Sequence, residues 1–370
     1  MTMHTRDAIR QRPGMYVGNT WDGSGLAHML WEVVANALDE HLAGHCRRIS
    51  IDITSEGAIS VRDDGRGIRL DEVEGIPFAE KALTTFHAGP TFDGHAPHEH
   101  IGTRGVGLFV VCALSAWLEL EVRREGRRYG QRFERGVAVS KLCETGVADT
   151  TGTRVVFAPD PDIFSTTGLD AAAVMARLSE LSYLFPQLIL GFKDLREHHF
   201  HQPGGLAAYV QASDIDSGMP CREEPVAGTF ICSFSAESIR VEVAARWCAS
   251  RHTSLQSFAN VTRTTDGGTH VEGLLRGLAS GARKALPEAC LGLRRSDIVR
   301  VLKQGLNAVV CVRLDDPSYG RPTRDRLSSA HVAPLVERGI AGPFADFLRS
   351  EPALSARIGE TLQCLQRHRR

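Results

Sequence analysis

The sequence predicts an α+β chain of two domains. Its first half has a long helical pattern followed by paired strand patterns, and its second half begins with strands and ends with helices. The 370 residues give room for about two domains of ordinary size. An irregular stretch at 213–226, with two prolines and a Glu-Glu pair, marks the boundary. We therefore expect domains at 1–214 and 215–370.

Composition argues against several functional classes. The net charge of −1 gives no overall attraction to nucleic acid or acidic lipid. No apolar run approaches the roughly 18–20 residues of a membrane helix, and the first residues lack a signal pattern. The nine cysteines form no C-x-x-C pair, which is typical of reduced thiols. We expect a soluble, cytoplasmic protein with no membrane partner, and we interpret the basic runs at 123–128 and 366–370 as solvated surface.

The first long helix, predicted from Leu26 to about Ala43, has one polar face. His28, Glu32, Asn36 and Glu40 follow one another at i+4 and therefore lie on that face. Apolar residues fill the remaining positions and pack inward: Leu30, Val33, Val34, Ala37 and Leu38. Gly44 is suited to the left-handed position after the last turn.

The next elements are two strands, 48–54 and 58–62, joined by a turn at Ser55-Glu56-Gly57. Asp63 lies where the second strand breaks into the glycine loop Asp63–Ile68. Later hydrophobic periodicity predicts further helices and strands. The helices are 79–87, 106–115, 169–184, 269–286, 332–348 and 354–366, and the strands are 117–124, 128–134, 153–158, 229–235, 240–247, 255–261 and 306–314.

Two glycine loops indicate a nucleotide site. In Gly102–Gly107, glycines at 102, 105 and 107 let backbone N–H groups approach phosphate oxygens, and the following helix contributes its positive dipole end. In the first loop, Asp63 can accept a hydrogen bond from an adenine amino group, and Thr153 can bond the same base edge or a neighbouring water. No G-x-x-x-x-G-K-[ST] run exists, so this is not a Walker-type loop.

The polar helix face supplies groups for phosphoryl transfer to water. Glu32 is suited to accept a proton from the attacking water, and His28 to hold Glu32 in place. Asn36 offers a neutral oxygen to Mg²⁺, which prefers oxygen ligands and keeps several waters. Taken singly, each side chain is more often ordinary polar surface, but three glycine- and carboxylate-bearing elements in this order make that interpretation improbable for all of them together.

At these residues the chain resembles a known family. Glu32–Asn36, Asp63–Gly67 and Gly102–Gly107 resemble the three nucleotide motifs of the GHKL ATPases (gyrase, Hsp90-type chaperones, histidine kinases and MutL). The resemblance is greatest to the ATPase region of gyrase B and its topoisomerase IV counterpart. In the second half, 257–260, 266–270 and 305–310 resemble the gyrase transducer domain.

The resemblance implies a fold and a set of roles. The fold is a two-layer α/β sandwich of the Bergerat type followed by a smaller α/β transducer domain that reports on the γ-phosphate. Glu32 is implied as the catalytic base, His28 as its support and Asn36 as the Mg²⁺ ligand. The implied ATP-binding residues are Asn36, Glu40, Asp63, Arg66, Gly67, Ile68, Gly102, Gly105, Val106, Gly107, Thr153 and Arg324.

The chain also departs from the family pattern. Thr91 stands where a lysine is usual, Arg69 where a proline is usual, and Ala35 where an aspartate is usual. The transducer's Gln-Thr-Lys reads Pro322-Thr323-Arg324, in which arginine keeps the charge of the phosphate-contacting lysine with a different geometry. The arm that clamps a second gyrase protomer is expected to be mostly missing, and the cleavage domain absent.

The resemblance, together with these residues, implies ATP binding and Mg²⁺-dependent hydrolysis by a gyrase B-like module related to type II DNA topoisomerases, with strand passage only alongside other subunits or domains. The alternative is a nucleotide-gated regulator with little hydrolysis and a non-topoisomerase partner. A histidine kinase is disfavoured because no phospho-accepting helix precedes the ATPase motifs. Expected partners are ATP, a second copy of the chain in a nucleotide-dependent homodimer, and a DNA-cleavage subunit or another client, with DNA contacted only indirectly.

The histidines at 95, 98 and 100 are compatible with a metal site, but we favour a solvated loop.

Overall fold

The computed structural model describes residues 5–54, 56–86, 106–212, 225–237, 239–249, 252–321 and 324–368. The chain divides into two compact units, 1–203 and 204–370. The predicted domain limits, 1–214 and 215–370, lie close to this division and stay a prediction. In the described ranges, no helix combines the length and the apolar character that a membrane crossing requires.

The first unit combines helices with one large mixed sheet. Its helices are α1 (Thr5–Gln11), α2 (Gly14–Val17), α3 (Ser24–Leu42), α4 (Phe78–Thr84), α5 (Gly107–Leu114) and α6 (Ala171–Leu184). Its strands are β1 (Arg48–Ile53), β2 (Ile59–Asp63), β3 (Glu72–Val73), β4 (Ile76–Pro77), β5 (Ser115–Arg124), β6 (Arg127–Glu134), β7 (Val137–Ala138), β8 (Cys143–Val147), β9 (Gly152–Pro159), β10 (Ile189–Lys193) and β11 (Glu197–Phe200).

The large sheet brings distant parts of the chain together. Its strand order is β11-β10-β1-β2-β9-β5-β6-β7, with β8 also paired to β6 and the β3–β4 hairpin separate. β9 lies between β2 and β5 and is antiparallel to both. This register places the end of β2, where Asp63 lies, beside the start of β9 and the end of β5.

The apolar side of α3 contacts β2 and β9 of this sheet. Leu26, Leu30 and Val33 are among its buried residues, which follow the helical period read from the sequence. The helix ends as predicted, because Gly44 adopts a positive φ of 83° just beyond it. The opposite, polar face of α3 is thereby left for the site.

The second unit is a five-stranded sheet with helices. Its strand order is β12-β13-β16-β14-β15. The strands are β12 (Phe230–Ala236), β13 (Ile239–Trp247), β14 (Ser254–Ala259), β15 (Thr262–Arg263) and β16 (Leu306–Leu314). The helices are α7 (Gly205–Ala212), α8 (Thr269–Ala285), α9 (Pro287–Cys290), α10 (Arg295–Leu302), α11 (Val332–Ser350) and α12 (Pro352–Arg367).

Three glycines on one side of α8 permit its close approach to α11. A Cβ at Gly273, Gly277 or Gly281 would lie within 2.7–2.9 Å of α11 atoms, including the Cβ of Ile340 at 2.9 Å from Gly277. No side chain larger than hydrogen fits this contact without a shift of one helix. Together the two units confirm the predicted α+β class and the long predicted strands and helices of both halves.

Candidate functional site

The polar face of α3 carries connected side chains. His28 Nε2 lies 3.3 Å from Glu32 Oε1, so the imidazole is within hydrogen-bonding reach of the carboxylate. Asn36 Nδ2 donates to the backbone oxygen of Glu32 at 2.7 Å. Because the nitrogen of the Asn36 amide is engaged, its Oδ1 is the atom left to accept, and no described residue donates to it. The Asn36 side chain is exposed and so accessible to a ligand.

Glu32 lies against the first residue of α5. A Cβ built on Gly107 would be 2.1 Å from Glu32 Oε2, a distance that a real side chain could not tolerate. The Glu32 side chain is only 16% exposed. The glycine at 107 therefore lets a carboxylate approach the N-terminus of α5, where backbone N–H groups and the helix dipole favour negative charge.

Asp63 is a buried carboxylate held by backbone donors. Its Oδ1 accepts from the N–H of Gly65 at 2.9 Å and from the N–H of Thr153 at 3.2 Å. Among the described residues, none donates to its Oδ2. The residue is only 7% exposed, and burial, which outweighs the two backbone hydrogen bonds, raises the pKa of Asp63 to about 6. Asp63 thus presents one oriented acceptor atom with no partner in the described protein.

Glu40 and Arg66 connect α3 to the glycine loop. Arg66 donates from Nη2 to Glu40 Oε1 at 2.9 Å, and from its backbone N–H and Nε to Glu40 Oε2 at 2.9 and 3.2 Å. Burial opposes ionisation of Glu40, but these hydrogen bonds and the arginine charge outweigh it, so the pKa of Glu40 lies below its usual value. A Cβ at Gly65 would lie 2.9 Å from both Asp63 Oδ1 and Glu40 Oε2, so glycine is required between these carboxylates.

Thr153 closes the loop from the other side. Its Oγ1 accepts from the N–H of Ile68 at 3.2 Å, while its own N–H donates to Asp63. Gly67 has a φ of +81°, and a Cβ there would be 2.7 Å from the Arg123 oxygen. The sequence predicts that Thr153 bonds the base edge. In this structure its hydroxyl oxygen also supports the loop, and its O–H remains able to donate to the base edge or to a neighbouring water, so the prediction stays a prediction.

The interpretation of the basic pair Arg123-Arg124 as solvated surface is wrong. Their side chains are 16% and 29% exposed. Arg124 Nη1 donates to the Gly67 oxygen at 2.8 Å, and Arg123 Nη1 donates to Thr150 Oγ1 at 2.8 Å. Arg127, which follows the turn after Arg124, fits the interpretation because its side chain is 54% exposed. Sequence reasoning missed these contacts because they depend on the antiparallel pairing that sets the end of β5 against the start of β9.

The structure brings most predicted site residues into two connected groups. One group contains Asp63, Arg66, Gly67, Ile68, Thr153 and Glu40, and the other contains His28, Glu32, Asn36, Val106 and Gly107. Glu32 and Glu40 are eight residues apart on one helix, about 12 Å by the helical rise, so α3 joins the two groups. Gly102, Gly105, Thr91, Pro322 and the histidines at 95, 98 and 100 lie outside the described residues. Arg324 lies in the second unit, and no group of three potential metal ligands occurs in the described ranges.

Two family models match separate parts of the chain. Residues 21–162 match the model described as histidine kinase-, DNA gyrase B-, and HSP90-like ATPase, and residues 205–370 match the DNA gyrase B model. The DNA gyrase B protein of Caulobacter vibrioides is 36% identical over 96% of this chain and 46% of that protein. The DNA gyrase B protein of a Synechocystis species is 38% identical over 96% of this chain and 33% of that protein. The chain therefore spans a third to about half of these relatives.

Solved structures agree with these matches over nearly the whole chain. The 43K ATPase domain of Thermus thermophilus gyrase B, solved with an aminocoumarin, has a TM-score of 0.82 at 29% identity, covering 98% of this chain and 96% of that one. The ATP-binding domain of Francisella tularensis topoisomerase IV has a TM-score of 0.79 at 25% identity, covering 99% and 98%.

The chain is similar to the GHKL superfamily: residues 21–162 match its ATPase model, a helix face carries Glu32 and Asn36, and a buried aspartate precedes a glycine loop. Within that superfamily, the chain resembles the N-terminal ATPase and transducer region of DNA gyrase B. The resemblance expected from the three sequence motifs is confirmed.

Proposed function

We propose that this chain binds ATP and hydrolyses it with Mg²⁺, as a gyrase B-like module related to type II DNA topoisomerases. The observation that carries the proposal is the connection made by α3. Its Glu32 touches the N-terminus of α5, and its Glu40 holds the loop that follows Asp63. One helix face thus extends from the residues proposed to bind the phosphates to the residues proposed to bind the adenine ring.

Asp63 supports recognition of adenine. Its Oδ1 is held by two backbone N–H groups, so Oδ2 keeps a fixed direction in a buried position. A carboxylate oxygen accepts from an exocyclic amino group, which adenine has and guanine lacks at the corresponding ring position. A buried acceptor left without that donor costs about 1–3 kcal/mol, which favours ATP over GTP.

The donor set of α3 fits Mg²⁺ together with a nucleotide. Asn36 would hold the ion through Oδ1, because its Nδ2 is already bonded to the Glu32 oxygen. A single protein oxygen suits Mg²⁺, which usually keeps several waters and binds substrate phosphates. When bound, Mg²⁺ shields the phosphate charge from the attacking oxygen.

Glu32 acts as the general base in this proposal. Its carboxylate orients a water beside the terminal phosphate and accepts the proton as the new P–O bond forms and the bond to ADP breaks. His28, 3.3 Å from Oε1, holds the carboxylate in that orientation. The N-terminus of α5 binds the phosphate oxygens, together with Gly102 and Gly105, whose role in phosphate binding is predicted from the sequence.

The proposal extends to partners as the sequence predicts. We place the chain in the cytoplasm and expect a homodimer that forms with nucleotide, and a DNA-cleavage subunit or another protein client. The predicted roles of Arg324 as a contact to the γ-phosphate and of 1–214 and 215–370 as the two domains remain part of this proposal. The alternative, a nucleotide-gated regulator without useful turnover, is motivated by Thr91 and Pro322.

Steady-state ATP turnover by the full chain with Mg²⁺ tests the proposal. Glu32→Gln is expected to lower turnover by about 100-fold or more and to leave ATP affinity within about 2-fold, because a general base acts on the chemical step. The matched control is Glu56→Gln, an exposed glutamate in the turn before β2, at the end of that strand opposite to Asp63. Equal turnover by Glu32→Gln and the parent would refute the role of Glu32. Tight ATP binding without turnover in the parent would favour the regulator.

A further inference from the structure

Residues 325–327, which lie between β16 and α11, are hydrogen-bonded to the turn before α8. The N–H of Leu327 donates to the Gly267 oxygen at 3.1 Å, and the N–H of Thr269 donates to the Leu327 oxygen at 3.0 Å. The N–H of Asp266 donates to the Asp325 oxygen at 2.9 Å. The backbone that immediately follows Arg324 is therefore held in place.

Arg324 itself has an unusual backbone conformation. Its φ is +59°, in the left-handed region that residues with side chains rarely adopt. Its N–H donates to the Arg321 oxygen at 3.0 Å. Such a conformation persists only when surrounding contacts determine it, and it directs the side chain differently from an extended segment.

The Arg324 guanidinium differs from those of the neighbouring arginines in its ion-pair partners. Arg321 lies 3.7 Å from Asp266, and Arg326 lies 2.9 Å from Glu272, so both have carboxylate partners. Among the described residues, none offers a carboxylate or a carbonyl oxygen to the Arg324 guanidinium. With no such acceptor in the described part of the chain, the Arg324 guanidinium remains available to an anion, whereas Arg321 and Arg326 each have a carboxylate partner.

Tyr319 lies beneath that guanidinium. Arg324 Cζ is 5.8 Å from the centre of the Tyr319 ring. The ring packs against the hydrophobic core of the second unit, and its hydroxyl donates to the Ala259 oxygen at 3.5 Å. A guanidinium within about 6 Å of a ring centre is attracted to the ring face, and this contact uses none of its N–H donors, which remain free for oxygen acceptors.

We propose that Tyr319 is a positioning residue: its ring supports the Arg324 guanidinium so that the N–H donors stay oriented for the terminal phosphate of ATP. This inference rests on the proposed function, in which Arg324 meets that phosphate. It predicts that replacing Tyr319 lowers the affinity for nucleoside triphosphates and leaves the affinity for diphosphates unchanged, because ADP lacks the terminal phosphate that Arg324 is proposed to contact.

The test measures, by calorimetry on the full chain, the affinity for a non-hydrolysable ATP analogue and for ADP, both with Mg²⁺. Tyr319→Leu removes the ring and is expected to weaken analogue binding about 5-fold with ADP unchanged. Tyr319→Phe keeps the ring and is expected to match the parent. In an Arg324→Ala background, Tyr319→Leu is expected to have no further effect, because the two residues act as one unit. Thermal denaturation of each variant identifies any loss of folding.

The outcomes separate this inference from the proposed function. If Arg324→Ala weakens analogue binding and Tyr319→Leu does not, the role of Tyr319 is overturned while the proposed function stands. Equal weakening of analogue and ADP by Tyr319→Leu, or a Tyr319→Phe variant as weak as Tyr319→Leu, also overturns it. A parent protein that binds neither nucleotide overturns both.

Discussion

Replacing Asp63 by asparagine is expected to stabilise the free protein at neutral pH while weakening ATP binding. Burial raises the pKa of Asp63 from its ordinary value of 3.8 to about 6. Each unit of pKa shift corresponds to 1.36 kcal/mol, so ionising this carboxylate in the fold costs about 3 kcal/mol relative to the unfolded chain. Asparagine has nearly the same shape and carries no charge, and we therefore expect a gain of up to about 3 kcal/mol above pH 7.

The gain should depend on pH in a defined direction. Because the folded pKa of Asp63 lies above the unfolded one, the native state keeps a proton that the unfolded state has already released. The stability contributed by this proton is complete below about pH 3.8 and is lost as the pH rises through about 6. The difference between Asp63→Asn and the parent is thus largest above pH 7 and approaches zero near pH 4.

The same substitution should impair the ligand site. The asparagine oxygen can still accept from the N–H groups of Gly65 and Thr153, as Asp63 Oδ1 does. The second atom, however, becomes an NH₂ donor directed at the adenine amino group, which is also a donor. A buried donor without an acceptor costs about 1–3 kcal/mol, so ATP affinity should fall by about 10-fold to 100-fold.

Urea denaturation between pH 4 and pH 8, with ATP titrations at pH 7.5, measures both effects. The matched control is Asp149→Asn, an exposed aspartate in the turn before β9, for which we expect little change at any pH. An Asp63→Asn variant that is less stable than the parent at pH 8, or a difference that does not vary with pH, would refute the reasoning.

Two glycine substitutions complete the predictions. Gly107→Ala would place a Cβ 2.1 Å from Glu32 Oε2, and the resulting displacement of the base should lower ATP turnover by about 100-fold, with normal turnover contradicting the contact. Gly277→Ala should lower the free energy of unfolding by about 1–3 kcal/mol, because its Cβ would be 2.9 Å from the Cβ of Ile340. The matched control is Gly359→Ala in α12, where an added Cβ would have no atom within 4 Å. This control should raise the free energy of unfolding by about 0.5–1 kcal/mol. Equal effects of the two substitutions in urea denaturation would contradict the packing of α8 against α11.

Periodicity in the sequence predicted the long elements of the fold well. The i+4 face of α3 and the glycine after it appear as expected, and β16 is the buried strand predicted from its apolar run at 306–314. Helical spacing over several turns distinguishes α3 from a strand, whereas β16 is recognised by its continuous, valine-rich apolar run. Such elements determine the α+β class before any tertiary contact is known.

Short elements could not be predicted in the same way. α10 has eight residues, only about two helical turns, and β11 consists of Glu-His-His-Phe without alternation. α1 precedes the first recognised motif and has one buried residue, Ile9. In each case the local pattern is weak, and contacts with the rest of the unit decide the structure.

The sequence predicts which residues form the candidate site, but it does not predict the contacts that hold those residues in place. The bond from Arg66 to Glu40 spans 26 positions in sequence, and the bond from Arg124 to the Gly67 oxygen spans 57. The contact of Gly107 with Glu32 likewise depends on the packing of α5 against α3. A single sequence contains no signal for such pairs, because they exist only once the sheet has set the order of its strands.

A structure of the full chain with a non-hydrolysable ATP analogue and Mg²⁺ tests the central claim most directly. We predict the adenine amino nitrogen about 3 Å from Asp63 Oδ2, Mg²⁺ about 2.1 Å from Asn36 Oδ1, and the terminal phosphate between Glu32 and the N-terminus of α5. A nucleotide whose adenine lies away from Asp63, or whose Mg²⁺ is bound without Asn36, would contradict the proposed site.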